Sequence, residues 1–130
     1  MDASGLTRLH TPAVRARVES LDAGGLARCS MTDLEVGFSA RSGAAWHELT
    51  TALEAFALVE IDAGHFARAR QVQRLLADRG LKGRKVPDLL IAAAAEASGR
   101  TVLHYDADFD HIATVTGQAT EWVVPRGSIP

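Results

Sequence analysis

Apolar residues recur along this chain in helical and strand-like patterns that alternate from one end to the other. Spacing of three and four predicts helices at 12–21, from 32, across 46–56, at 63–79, at 89–97 and at 110–115. Short apolar runs predict strands at 26–30, 58–61, 101–105 and 120–124. Alternation of this kind is typical of an α/β fold with a mainly parallel central sheet, and 130 residues suit a single domain, 1–130.

The same pattern predicts which side of each helix is buried. Leu34 and Phe38, four residues apart, mark the apolar side of the helix that begins at Thr32. The next two helices carry longer stripes, at Trp46, Leu49, Leu53 and Phe56, and at Phe66, Ala69, Val72, Leu75 and Leu76. The helix at 89–97 is apolar nearly all round and should be deeply packed.

The composition of the chain bears on where in the cell the protein is expected to be. Hydrophobic residues make up 47% of the chain, yet the longest wholly apolar stretch, from Leu89 to Ala95, is far too short to span a bilayer. No signal peptide is visible. Cys29 is the only cysteine, which excludes an internal disulfide and a cysteine metal cluster. These features favour the cytoplasm and give no indication of a membrane partner.

Positive charge is concentrated in one segment. The formal net charge of −2 argues against binding of nucleic acid by the whole surface. Between 68 and 85, however, one acid, Asp78, stands among seven basic residues: Arg68, Arg70, Arg74, Arg79, Lys82, Arg84 and Lys85. Such a segment suits a polyanionic substrate, although an exposed, solvated helix face would have the same composition.

Acidic residues occur where a metal-dependent phosphodiesterase would need them. Asp106 and Asp108 follow a predicted strand, where sites form at the carboxyl ends of parallel strands. Asp88 begins an apolar helix and could reach the same place, and Asp2 and Glu35 add two more carboxylates. Carboxylates from separate elements suit hard cations such as Mg²⁺ or Mn²⁺, which activate water for attack on a phosphodiester.

Each of these acids also has an ordinary structural interpretation. Asp88 follows a proline and could be a helix N-cap. Thr32 and Glu35 have the spacing of a capping box. Asp106 and Asp108 could be turn residues, and Asp2 could be frayed and solvated. The metal-site hypothesis therefore depends on all of them occurring together.

Other motifs fit less well. Residues 106–110 resemble the start of an EF-hand loop, but His111 replaces the required glycine and Gly117 the bidentate glutamate. A strand followed by D-x-D also resembles haloacid-dehalogenase-type phosphatases, which need a whole domain after the motif. A phospho-acceptor receiver domain needs a lysine after a late strand, and no lysine follows Lys85. His104, in a buried-looking strand, is expected to be a packed histidine.

The order of the acidic segments resembles the PIN-domain ribonucleases, in particular the VapC toxins of bacterial VapBC toxin–antitoxin pairs. The resemblance rests on Asp2-Ala3-Ser4-Gly5-Leu6, on residues 32–37, and most specifically on 87–95 and 102–113. It implies a three-layer α/β/α fold with an acidic quartet of Asp2, Glu35, Asp88 and Asp106. Asp108 would be an additional or water-mediated metal ligand, and Ser4 would support Asp2 through its hydroxyl.

The same resemblance implies a metal-dependent endoribonuclease that uses Mg²⁺ or Mn²⁺ and is neutralised by a VapB-type antitoxin. A homodimer is also expected. Candidate RNA contacts are Arg70, Arg74, Lys82, Arg84 and Lys85. The chain departs from the family at Asp2, which directly follows Met1. Either the apolar strand expected before Asp2 is missing, or the true start of the protein lies upstream of Met1. Loss of a central strand would expose its neighbours' backbone groups. The alternative is a catalytically silent PIN-like module that binds other proteins.

Overall fold

A computed structural model describes residues 1–21, 25–81 and 85–130. The helices in these ranges are α1 (Ala3–Leu6), α2 (Pro12–Glu19), α3 (Ser30–Phe38), α4 (Gly43–Leu53), α5 (Ala63–Asp78), α6 (Val86–Ala97) and α7 (Asp108–Thr116). The strands are β1 (Ala27–Cys29), β2 (Ala57–Val59), β3 (Val102–His104) and β4 (Thr120–Trp122). The predicted order of elements is confirmed from α2 onward, with ends that differ by a few residues, whereas the short helix α1 was not predicted.

The strands form two parallel pairs. β1 pairs with β2 in the register Ala27–Ala57, and β3 pairs with β4 in the register Val102–Thr120. The parallel α/β architecture is therefore confirmed, but the described strands hydrogen-bond as two separate pairs and not as one continuous sheet. The Met1–Asp2 segment lies between the two pairs: the Met1 amino group donates to the Ala27 carbonyl at 2.6 Å, and the Asp2 N–H donates to the Leu103 carbonyl at 3.1 Å.

Helix α6 lies at the centre of the largest core cluster. Its residues from Leu89 to Ala94 are at most 6% exposed, as its nearly continuous apolar sequence predicted. They pack with α5 and α7, where Leu76, Phe109 and Ile112 are almost completely inaccessible. A second cluster joins α2, β3 and the segment after β4 through Val14, Leu103, Val123 and Val124. The rigid attachment of α6 and β3 fixes the positions of the residues at their ends.

The predicted buried face of α3 is wrong. Leu34 and Phe38 are 70% and 93% exposed, whereas Thr32 and Val36 are buried. Side chains two residues apart in an α-helix point about 200° away from each other around the helix axis. Because residues 32 and 36 face the core, residues 34 and 38 therefore face outward. The helix begins directly after β1, at Ser30 instead of Thr32.

Two other predicted stripes are only partly correct. In α4 Leu53 is buried, but Trp46 is 46% exposed. In α5 Ala69, Val72 and Leu76 are buried, but Phe66, near the first turn, is 57% exposed.

Two sequence features fall outside the described residues: the break after the first long helix at 22–24, and the basic residues Lys82 and Arg84. Within the described ranges, no helix is long and apolar enough to cross a membrane.

Candidate active site

Asp2 is buried at the start of α1, where it caps the helix. Its Oδ2 accepts from the Ser4 N–H at 3.1 Å, and its Oδ1 accepts from the Gly5 N–H at 3.2 Å and the Ser4 hydroxyl at 2.7 Å. The side chain is 2% exposed, so the interpretation of Asp2 as a frayed, solvated residue is wrong. Ser4 also accepts from the Tyr105 N–H at 2.8 Å. The serine hydroxyl thus ties Asp2 to the end of β3.

Asp106 follows β3, and Asp108 is the first residue of α7. The Asp106 carboxylate accepts from the Asp108 N–H through Oδ1 at 2.9 Å, which fixes the turn between strand and helix. The Asp106 N–H in turn donates to Nδ1 of His104 at 3.1 Å. Asp106 and Asp108 therefore lie just beyond the carboxyl end of β3, where sites form in parallel sheets, and this prediction is confirmed.

Asp88 enters the same region from α6. The helix N-cap is Lys85, and Asp88 is the third helical residue, so the interpretation of Asp88 as an N-cap is wrong. Its side chain is 3% exposed, and Oδ2 is buried without a hydrogen-bond partner. A buried carboxylate oxygen left unpaired is costly unless a cation or a proton satisfies it.

Glu35 lies in the middle of α3, on the side that faces the other acids. The capping box predicted for Thr32 and Glu35 does not form: Thr32 is inside the helix, and its hydroxyl contacts the Cys29 sulfur at 3.3 Å. Glu35 Oε1 is buried and, like Asp88 Oδ2, has no partner. Two elements therefore present unsatisfied carboxylate oxygens.

The electrostatics couple these carboxylates into one cluster. Burial, followed by the charges of Asp106, Asp2 and Glu35, raises the pKa of Asp88 to about 8. Burial and the charges of Asp2 and Asp106 also raise the pKa of Glu35, and burial raises the pKa of Asp2 despite its three hydrogen bonds. Clustered, desolvated carboxylates that resist ionisation are typical of cation-binding and catalytic sites.

The geometry of three of the acids suits a metal ion. Asp88, Asp106 and Asp108 can each offer a carboxylate oxygen with all three atoms within 4.8 Å of one another. Oxygen ligands of this kind hold hard divalent cations, and the unpartnered Asp88 Oδ2 provides a free donor. These residues could therefore hold a metal.

Among the residues that the structure describes, Lys85 reaches the acids directly. The Lys85 ammonium lies 3.5 Å from Asp106 Oδ2, and the pKa of Lys85 is raised chiefly by the charge of Asp106. Arg70 and Arg74 are exposed on α5. Arg68 is engaged elsewhere, because its guanidinium pairs with Glu96 at 2.7 Å.

Sequence reasoning missed the part played by His104. It is packed as predicted, at 0% exposure between the rings of Phe109 and Trp122, each 5.0 Å away. Burial lowers the pKa of His104, which favours the neutral ring that the Asp106 hydrogen bond requires. A histidine two residues before an aspartate has no distinctive sequence signal, so this contact is visible only in the fold.

The profile of the PIN domain matches residues 2–115 of this sequence. The chain belongs to the PIN-domain family. Among its relatives, Ribonuclease VapC51 of Mycobacterium tuberculosis is 58% identical over 99% of this chain and 95% of its own length. Ribonuclease VapC21 of the same species is 46% identical over 98% of this chain and 95% of its own length. Similarity of this extent places this PIN-domain protein in the VapC group.

Solved structures show the same PIN fold. The DNA-bound VapBC from Salmonella typhimurium contains a chain that matches with a TM-score of 0.76 at 18% identity, covering 95% of this chain and 96% of that one. FitAcB from Neisseria gonorrhoeae matches with a TM-score of 0.76 at 20% identity, covering 94% and 95%. The fold expected from the sequence is thereby confirmed.

Proposed function

We propose that this chain is a metal-dependent endoribonuclease, the toxin of a VapBC-type toxin–antitoxin pair, with one PIN-like domain spanning 1–130. The observation that carries the proposal is the acidic cluster itself. Asp88 and Glu35 each have a buried carboxylate oxygen without a hydrogen-bond partner, and the charges of Asp2 and Asp106 act on both. The pKa of Asp88 is raised to about 8. The ribonuclease names of the 58% and 46% identical relatives support RNA as the substrate.

Asp88, Asp106 and Asp108 are the residues we assign to a Mg²⁺ or Mn²⁺ ion, and Asp2 and Glu35 complete the acidic site. Such an ion, when bound, supplies a Lewis acid for the phosphoryl oxygens and lowers the pKa of water. The protein itself contributes fixed geometry: Asp2 is held by α1, Asp106 by β3 and α7, and Asp88 by the deeply packed α6. Rigid placement of this kind reduces the reorganisation needed during reaction.

Basic residues beside the acidic site are the candidates for binding the phosphates of the RNA. Lys85 is 64% exposed at its side chain and already contacts the acidic site, so it can pair with a phosphate of the bound strand. Arg70 and Arg74 offer further positive charge on the exposed surface of α5. Lys82 and Arg84, in the neighbouring undescribed segment, remain candidates by sequence alone.

Regulation by a VapB-type antitoxin follows from the structural relatives, several of which are VapBC complexes. The surface of this chain supports a protein partner, because Leu34, Phe38 and Trp46 expose apolar area around α3 and α4. We also propose that the protein forms a homodimer and acts in the cytoplasm.

Cleavage of a mixed panel of tRNA and other structured RNAs by the purified chain tests this function. The reactions contain Mg²⁺, Mn²⁺ or EDTA, and they are repeated with Asp88→Asn and with Asp78→Asn, which removes an exposed carboxylate at the end of α5. We expect cleavage that depends on the metal. The cleavage rate should fall at least about 100-fold in Asp88→Asn and should be unchanged in Asp78→Asn. No cleavage by a protein with a folded circular dichroism spectrum would favour the silent protein-binding module.

A further inference from the structure

Two arginines lie on two aromatic rings at the carboxyl ends of β3 and β4. The guanidinium carbon of Arg8 is 4.8 Å from the centre of the Tyr105 ring, and that of Arg126 is 5.6 Å from the centre of the Trp122 ring. The two rings contact each other edge to face, with their centres 5.3 Å apart. Arg8, Tyr105, Trp122 and Arg126 therefore form one continuous surface, which we call the arginine–aromatic strip.

Hydrogen bonds fix the orientation of both rings. The Tyr105 hydroxyl donates to the Ile129 carbonyl at 2.7 Å and accepts from the Ile129 N–H at 3.2 Å. The Trp122 indole N–H donates to Asp110 Oδ2 at 3.1 Å. Because neither ring can turn freely, the surfaces that they offer to the arginines are organised before any ligand binds.

Both arginines keep part of their guanidinium for a ligand. Arg8 Nη1 donates to the Ser4 carbonyl at 2.7 Å, and its Nε donates to the Pro130 carbonyl at 3.0 Å, so this side chain is held in place. Arg126 is exposed, and within the described ranges it forms no ion pair. A guanidinium that lies on a ring has a second face and further N–H groups that remain available.

The strip borders the acidic site directly. Tyr105 immediately precedes Asp106 in the chain. Ser4, whose carbonyl accepts from Arg8, also donates its hydroxyl to Asp2 at 2.7 Å. A strand of RNA bound at the acids would therefore meet the strip next.

The composition of the strip favours a nucleobase over a phosphate alone. A phosphate needs only positive charge and hydrogen-bond donors, which an unsupported lysine or arginine supplies. A guanidinium stacked on an aromatic ring is a flat, weakly hydrated cation, and nucleobases stack on such planes. Because stacking requires bases that are splayed out of a duplex, the matching ligand is single-stranded RNA.

We propose that the arginine–aromatic strip binds unpaired bases of the RNA beside the acidic site, with Arg8 and Arg126 as the stacking surfaces. The inference rests on the proposed ribonuclease function and extends it, because it assigns contacts to bases, whereas the acids and Lys85 act on the sugar–phosphate backbone. It places the cut sites in loops and other single-stranded stretches.

Arginine-to-lysine variants test this proposal, because they keep the charge and remove the flat surface. Arg8→Lys, Arg126→Lys and the exposed control Arg41→Lys are compared with the original chain in EDTA, so that the RNA stays intact. The two probes are a fluorescent single-stranded RNA of about 12 nucleotides and the same sugar–phosphate strand without bases. Anisotropy at several salt concentrations measures binding. If thermal unfolding shows that Arg8→Lys is destabilised, the exposed Arg126→Lys decides the test.

We expect Arg8→Lys and Arg126→Lys to bind the RNA about tenfold more weakly, with an unchanged salt dependence, and to bind the base-free strand as the original chain does. Arg41→Lys should match the original chain on both probes. Equal binding of the RNA by all four proteins would overturn the inference and leave the proposed function intact. An equal loss on both probes would do the same, because it indicates contact with phosphates alone. An original chain that binds neither probe would overturn the inference together with the proposed function.

Discussion

The backbone N–H of Asp106 donates to Nδ1 of the fully buried His104 at 3.1 Å. This bond requires a neutral ring whose proton is on Nε2, the nitrogen that lies 3.9 Å from Asp110 Oδ1. His104 therefore acts as a positioning residue, since it orients the backbone that carries a proposed metal ligand.

Replacing His104 separates its hydrogen bond from its packing. His104→Leu leaves the Asp106 N–H without an acceptor, a loss of about 1–3 kcal/mol, and should weaken Mn²⁺ binding and cleavage about tenfold or more. His104→Asn offers an oxygen near the position of Nδ1 and should retain more of both. Calorimetric Mn²⁺ titrations of folded variants measure the difference, with the exposed His47→Leu as control. Identical Mn²⁺ affinities for the leucine and asparagine variants would argue against this role.

The pKa of Asp88 predicts a pH-dependent metal affinity. Because that pKa is about 8, the carboxyl of the metal-free protein is protonated at neutral pH and must lose its proton to become a ligand. Below pH 8 we expect Mn²⁺ affinity to fall by up to about tenfold per pH unit. Calorimetry in two buffers with different ionisation enthalpies counts the released protons. Affinity that is constant from pH 6 to 8, with no proton release, would contradict the assignment.

The same pKa predicts that the metal-free protein loses stability as pH rises. Asp88 holds its proton in the folded state up to about pH 8, whereas in the unfolded chain it ionises near 3.8. The unfolded state therefore binds fewer protons between these values, and the free energy of unfolding decreases as pH rises through this window.

Asp88→Asn should remove that contribution. In EDTA, Tm of the original chain should fall from pH 5.5 to 8.5, whereas the variant should show a smaller fall and a higher Tm at pH 8.5. Thermal unfolding followed by circular dichroism measures both, and Asp78→Asn should behave like the original chain. A variant that is less stable than the original at pH 8.5 would show that Asp88 has a structural role instead.

Lys85 is predicted to affect metal and RNA in opposite directions. Lys85→Met removes the cation that faces Asp106 and keeps most of the apolar stem. We expect Mn²⁺ to bind about 2–5-fold more tightly, as suits an exposed ion pair. RNA should bind more weakly. The slope of the logarithm of the binding constant against the logarithm of the salt concentration should become smaller in magnitude by about one. Fluorescence anisotropy at several salt concentrations tests this, with the exposed Arg41→Met as control.

The predictability of the fold varied with how much of each element is buried. The helix containing Leu89–Ala95 and the strand containing Val102–His104 were recognised because their apolar patterns reflect packing on most sides. The orientation of α3 was not, because Leu34 and Phe38 are apolar yet exposed, and the polar Thr32 is buried beside Cys29. Apolar residues on a partner-binding surface produce the same pattern as a core face.

The candidate site was predictable only as a list of acids. The fold brings together Asp2, Glu35, Asp88 and Asp106. Their separation along the sequence does not specify how far apart their carboxylates lie in space. The hydrogen bond of His104 and the ion pair of Lys85 depend on how β3 meets the start of α6, which local patterns do not specify.

The most direct test of the central claim compares RNA cleavage with Mn²⁺ occupancy on one protein preparation. Occupancy is measured by calorimetry, and the initial cleavage rate is measured at the same free Mn²⁺ concentrations. We predict that the rate rises in proportion to occupancy, and that Asp88→Asn loses both while Asp78→Asn keeps both. Full-rate cleavage in EDTA, or by Asp88→Asn, would contradict the proposal that this acidic cluster is a metal-dependent ribonuclease site.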